Sequence, residues 1–197
     1  MKINPLLEPA RTAVLCMDMQ QGVVSIYAAN QQDIIARAAK VLHAARQRGM
    51  TVIHIRVGFR AGLPEINPRN PVFGALRNSP QHQQLFSGEA GEIHPVLGPG
   101  PNDIVIVKHR VSAFTGTDLD MILRAKGIDA LVLFGIATSG VVLSTLLEAS
   151  DADYRVVVLR DCCAEMDNEV HRCLLDKVFP RRGTVCDAAD FLDSAWG

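Results

Sequence analysis

Residues 12–20 read TAVLCMDMQ, an apolar run from Thr12 to Met17 that stops at Asp18. A strand buried on both faces of a parallel sheet has this appearance, because neither face needs polar residues for water. Asp18 is thereby predicted at the strand's carboxyl end. Two further runs end in the same way. Asp103 to Val107 stops at Lys108 in IVIVKHR (104–110), and Ala130 to Phe134 stops at Gly135, ahead of GIATSGVVLSTLLEA (135–149). In open α/β sheets ligands bind outside the carboxyl ends of the strands, near the point where strand order reverses. The three endings predict one crevice holding Asp18, Lys108 and the 135–141 turn, where an acid and an amine are placed to transfer protons.

Working outward, strand and helix signals alternate. Asn30 with Asp33 reads as a capping pair before a helix with apolar positions Ile34, Ile35, Ala38, Val41, Leu42 and Ala45, and Gly49 suits the residue just past its end. A strand over Thr51 to Val57 follows. From Gly58 to Pro101 the periodicity fades and seven of the chain's ten prolines occur, which predicts long irregular connections with one short helix. Thr117 and Asp120 are expected to cap a helix over Leu119 to Lys126, closed by Gly127. Ser139 or Gly140 is expected to open a helix to about Ala152. Arg155 to Leu159 reads as a strand, Asn168 to Val178 as a helix stopped by Pro180, and Thr184 to Cys186 as a short strand. The alternation predicts an α/β fold, a three-layer α/β/α sandwich with a mostly parallel six-stranded sheet, residues 1–197 forming a single domain.

Composition narrows the partners. A chain of 197 residues with 48% hydrophobic content can bury a sizeable core. A net charge of −1, with Lys and Arg scattered, gives no basic face for nucleic acid. No run approaches the roughly 20 apolar residues that cross a bilayer, so a cytoplasmic protein with a small-molecule partner is expected. The five cysteines, Cys16, Cys162, Cys163, Cys173 and Cys186, are odd in number and show no CxxC spacing, which indicates neither a disulfide framework nor a zinc site.

Three separated segments, AVLCMDMQ (13–20), VIVKHRVSAFTGTDLDMIL (105–123) and LVLFGIATSGVVLSTLLEASDADYRVVVLRDCCAE (131–165), resemble the isochorismatase-like cysteine hydrolase superfamily, in that family's order and over nearly the whole chain. The resemblance implies a Rossmann-like hydrolase domain, no cofactor, a homo-oligomer and a non-proline cis peptide near Ile136 and Ala137. In that family an aspartate is the general base, a lysine stabilises charge beside it, and a cysteine early in the helix after the fourth strand attacks an amide or related carbonyl. Carried over, these positions are Asp18, Lys108 and residue 141. Here residue 141 is Val141, which has no nucleophilic atom, so thiol chemistry at that position is excluded.

Several readings accommodate the valine. The isochorismatases proper also lack the cysteine, usually with glycine in its place, and cleave a vinyl ether by proton transfer from the aspartate. On that precedent Asp18 acts as an acid, a role that burial favours and the Lys108 cation opposes. Thr138 and Ser139 are either nucleophiles in a turn whose N–H groups stabilise an oxyanion, or ordinary helix N-caps. Cys162 and Cys163 lie at the same sheet edge, as catalytic thiols or as small buried hydrophobes, while Cys16 belongs to the core. For substrate binding, Gln20 is expected in the pocket wall, Phe114 as a pocket aromatic or a core residue, and Ala137, Thr138 and Ser139 along the turn. Arg110, with His109, Arg56 and Arg60, is a candidate for holding an anionic substrate, or is surface charge. Asp161 is expected to order the turn around Thr138. The nicotinamidase branch holds a metal through an Asp and closely spaced histidines, whereas HIRVGFRAGLPE (54–65) offers a single histidine, so no metal is expected. Two functions follow. One is an isochorismatase-family hydrolase of a small metabolite working without the cysteine, Asp18 in proton transfer and Lys108 stabilising negative charge. The other is a catalytically inactive family member that binds a small ligand or serves in assembly. The pair of Asp18 and Lys108 favours the enzyme, because a bare scaffold has no physical need of it.

Overall fold

All six residues of β1 (Thr12–Met17) are buried, because this strand lies in the middle of the sheet with neighbours on both sides. The computed structural model describes residues 7–29 and 33–193. After β1 come β2 (Thr51–Val57), β3 (Ile104–Lys108), β4 (Ala130–Gly135), β5 (Arg155–Leu159) and β6 (Thr184–Cys186), in the order β3-β2-β1-β4-β5-β6. Every pairing is parallel. The chain builds the sheet outward from β1 to β3, then returns to the other side of β1 and builds outward again. The reversal therefore falls between β1 and β4, where such sheets open a crevice at their carboxyl ends.

Helices flank the sheet: α1 (Gln21–Tyr27), α2 (Asp33–Gln47), α3 (Gly74–Arg77), α4 (Pro80–Gln84), α5 (Leu119–Ala125), α6 (Leu143–Asp151), α7 (Asn168–Cys173) and α8 (Ala188–Asp193). In α2 the buried positions are the six apolar residues that follow helical spacing. It ends as its glycine requires: Gly49 has φ 72°, Gly49 N donates to Arg46 O at 3.1 Å, and Met50 N donates to Ala45 O at 3.0 Å. Gly127 closes α5 with the same pair of bonds, to Arg124 O and Leu123 O. The capping partner expected at Asn30 lies outside the described residues.

Elsewhere local expectation and structure differ. Thr117 Oγ1 accepts from Leu119 N at 3.2 Å, but Asp120 reaches forward to Arg124 instead of back, so no reciprocal capping box forms. The helix expected from Ser139 begins as a π-wound turn, Thr138–Val142, with Gly140 outside helical geometry, and regular α6 starts at Leu143. Residues 174–178 are likewise π-wound after α7, and Pro180 sits in the closing 3₁₀ turn. The 58–101 segment contains two short helices, α3 and α4, and two 3₁₀ turns, Gly88–Gly91 and Pro95–Leu97. Among the described residues no helix is long and apolar enough to cross a membrane.

Candidate active site

Gly135 closes the sheet at the reversal point. Its φ is 152°, and a Cβ there would lie 2.1 Å from Met17 O, so only glycine lets the ends of β1 and β4 come this close. Ile136 N then donates to Met17 O at 3.1 Å, which places the 136–141 turn directly against Asp18. Asp18 has φ 54°, a left-handed conformation that Asp tolerates better than most residues. That backbone turns the carboxyl off the strand's alternation, above the end of the sheet.

Lys108 ends β3, two strands from β1, and its stem crosses the end of β2. Among the described residues it is the largest of the most deeply buried side chains, at 1% exposure. Its Nζ lies 2.9 Å from Asp18 Oδ2 and donates to Arg110 O at 3.0 Å. The other carboxylate oxygen, Asp18 Oδ1, is buried and has no hydrogen-bond partner. Burial pushes the Asp18 carboxyl above its ordinary range, and the Lys108 cation, which pulls it down, is the smaller influence. The site thus contains an acid raised toward holding its proton, with one oxygen paired and the other without a partner.

The turn after β4 carries a cis peptide between Ile136 and Ala137, as the resemblance implied. Val141, Ala137, Ile136 and Gly140 face the same cavity as Asp18 and Lys108. Thr138 and Ser139 do not line it. Neither acts as an N-cap: Thr138 Oγ1 bonds Ala164 O and His171 Nδ1, and Ser139 Oγ donates to Glu165 Oε2 at 2.5 Å. The N–H groups of Thr138, Ser139 and Gly140 are engaged with Ala164 O, Glu165 Oε2 and Ala137 O. Glu165 therefore does the ordering expected of Asp161, whose own oxygens accept from Arg37 and from Ala188 N. Cys162 and Cys163 are buried and lie off the cavity. Burial pushes both thiols up, Cys163 to about 12, and Cys163 Sγ donates to Leu159 O. Neither resembles an activated thiolate.

The cavity measures about 320 Å³ and its wall is overwhelmingly apolar. Val23 and Tyr27 of α1 form one side, and Val72, Phe73, Ala75, Leu76, Leu85 and Phe86 form the outer wall. The long 58–101 segment is therefore the roof of the site. Its shape is fixed by edge-on aromatic contacts of Phe59 with Phe73 and Phe86, centroids 5.6 and 6.3 Å apart. Gln20 is fully buried but outside the cavity. Its amide bonds both the N–H and C=O of Val57 and also Gly91 O, stitching the end of β2 to the roof. Phe114 packs against Tyr154 away from the site, and the Arg110 guanidinium donates to His109 O. Arg56 pairs with Glu92, Arg60 pairs with Glu65, and His109 Nδ1 contacts Gly58 O. Among the described residues no group of three or more His, Cys, Asp or Glu side chains is placed to hold a metal ion.

Comparison with known proteins places the fold in a family. The family model described as isochorismatase domain matches residues 12–190. The uncharacterized isochorismatase family protein YwoC of Bacillus subtilis is 31% identical over 185 residues, covering 93% of each chain. The ureidoacrylate amidohydrolase RutB of Acinetobacter baylyi is 31% identical over 209 residues, covering 95% of this chain and 85% of its own. Among solved structures, an isochorismatase family protein from Burkholderia thailandensis superposes with a TM-score of 0.79 at 32% identity, over 96% of this chain and 95% of that one. With its domain model spanning nearly all of the described fold, the chain belongs to the isochorismatase family.

Proposed function

We propose that this isochorismatase-family hydrolase cleaves a small substrate by proton transfer through Asp18, with Lys108 stabilising negative charge and with no thiol nucleophile. The observation that carries the reading is Asp18, a residue of the cavity wall whose Oδ1 is buried and unpartnered while Oδ2 is tied to Lys108. A buried carboxyl oxygen left without a partner is costly unless a ligand or a proton completes it. Position 141, where the family's cysteine is expected, carries a valine that is 2% exposed and packs into the wall.

In the cycle this reading describes, protonated Asp18 gives its proton to the bound substrate. Water adds to the carbon made electron-poor by that transfer, and the bond to the leaving group breaks. A proton from the added water restores Asp18. Lys108 holds the carboxylate while its charge is exposed, in a wall that offers little other solvation. The pKa direction fits an acid at the start of the cycle.

The test is turnover of amides, carbamoyl compounds, esters and isochorismate by the native protein and by Asp18→Asn. A positioned acid contributes about 10²–10⁴-fold, so Asp18→Asn is expected to lose at least about 100-fold at an unchanged fold. Turnover that persists in Asp18→Asn defeats the proposal. Ligand binding by a protein that turns over nothing on the panel favours the inactive, ligand-binding reading instead.

A further inference from the structure

The cavity's chemistry is divided between its two ends. At the inner end sit Asp18 and Lys108. The outer end is built from Phe73, Leu76 and Phe86, beside the exposed Val72. Among the described residues, the only one besides Lys108 that lines the cavity and can carry positive charge is His82, which is exposed to solvent. The arginines that the sequence offered for an anionic substrate are committed elsewhere: Arg56 to Glu92 and Gly91 O, Arg60 to Glu65, Arg110 to His109 O. None of the three lines the cavity. A carboxylate pushed against the Phe73–Leu76–Phe86 wall would lose water there with only the solvent-exposed His82 to answer its charge, which opposes burial.

We infer that the substrate is neutral and apolar at the end remote from its reacting group, an aryl or branched-alkyl carbonyl compound or enol ether, and that carboxylate-bearing metabolites are rejected. The inference rests on the reading of this cavity as the active site. It separates this chain from its relative, the ureidoacrylate amidohydrolase RutB, whose name specifies a carboxylate. Size follows from the same cavity. At about 320 Å³ and open on one side, it admits a substituted benzene ring. A benzamide carrying one small substituent fits.

The test compares 4-methylbenzamide with 4-carbamoylbenzoate, which differ in a methyl or a carboxylate at the far end of the ring. Dissociation constants are measured on the native protein and on Asp18→Asn, so that binding is read apart from turnover. The native protein is expected to bind the methyl compound roughly 30-fold or more tighter, the range set by an unpaired buried charge. Val72→Arg places a cation at the edge of the wall on a side chain already 59% exposed, so the fold tolerates it. It is expected to narrow the gap about tenfold by improving 4-carbamoylbenzoate alone. Equal or tighter native binding of the carboxylate overturns the inference, and so does a failure of 4-methylbenzamide to bind at millimolar concentration. The two readings fail separately. Apolar preference in a protein that hydrolyses nothing sinks the hydrolase reading alone, whereas turnover that favours 4-carbamoylbenzoate sinks this inference alone.

Discussion

Replacing Lys108 with Met removes the ammonium and keeps most of the buried stem. Asp18 is then left 6% exposed with neither carboxylate oxygen paired by a cation. Breaking a buried ion pair from one side costs about 3–5 kcal/mol, because the remaining charge stays desolvated. In a chain of 197 residues each kcal/mol moves Tm by about 2–4 °C, so the loss corresponds to roughly 6–20 °C. The loss also depends on pH in a definite direction. Burial already holds the Asp18 carboxyl above its ordinary range, and the Lys108 cation is what restrains it. Without Lys108 the folded-state pKa rises further, so the folded state binds the proton more tightly than the unfolded chain does. Stability from such a group is complete below the ordinary aspartate pKa and is lost as pH rises through the folded value. Thermal unfolding of Lys108→Met at pH 8.5 should therefore show the full deficit, and at pH 5.5 less than half of it. Asp18→Asn in the same chain should recover most of the loss by removing the stranded charge. A Tm within 2 °C of native at both pH values, or an equal deficit at both, would refute the coupling described for this pair.

Other consequences are as direct. Of the five free cysteines only Cys173 is exposed, so brief iodoacetamide treatment of the folded protein should add one alkyl group by intact mass, at Cys173, and two or more rapid additions would contradict the burial of Cys162 and Cys163. Gln20→Ala strands both backbone groups of Val57 and leaves the Gly91 carbonyl to Arg56 alone, and should cost about 3 kcal/mol in urea unfolding while raising KM through a loosened roof. Gly135→Ala forces a Cβ to within 2.1 Å of Met17 O and should be destabilised by more than about 4 kcal/mol, seen as loss of soluble folded protein.

Much of this fold is legible in the sequence wherever a feature is local. Runs such as TAVLCM and ALVLFG fix their strands because parallel strands buried on both faces have no polar alternation to blur them. Gly49 and Gly127 mark helix ends because a positive φ is needed there. Asp18 and Lys108 stand out because each is a charged residue directly after such a run. What escapes is non-local or propensity-poor. QGVVSIY becomes α1 although glycine and β-branched residues disfavour helix, since its packing on the roof overrides propensity; a Cβ at Gly22 would lie 2.7 Å from Leu85 O. The short α8 carries too little periodicity to announce itself. Ser139 reads as an N-cap until Glu165, 26 residues away, takes its hydroxyl. The roof residues Phe73, Leu76 and Phe86 lie in a stretch without periodicity, where an aromatic offers no local sign of what it faces. Their only signal is the density of apolar side chains in a loop segment.

The central claim is that Asp18, and no cysteine, carries the chemistry. It is tested most directly by measuring kcat/KM on one hydrolysed substrate for four samples: native protein, Asp18→Asn, native protein alkylated at Cys173, and the double variant Cys162→Ala with Cys163→Ala, which removes the two thiols that alkylation does not reach. The account predicts a loss of at least about 100-fold in Asp18→Asn and an unchanged value after alkylation and in the double variant. Loss of activity on alkylation or in the folded double variant, with Asp18→Asn still active, would contradict it.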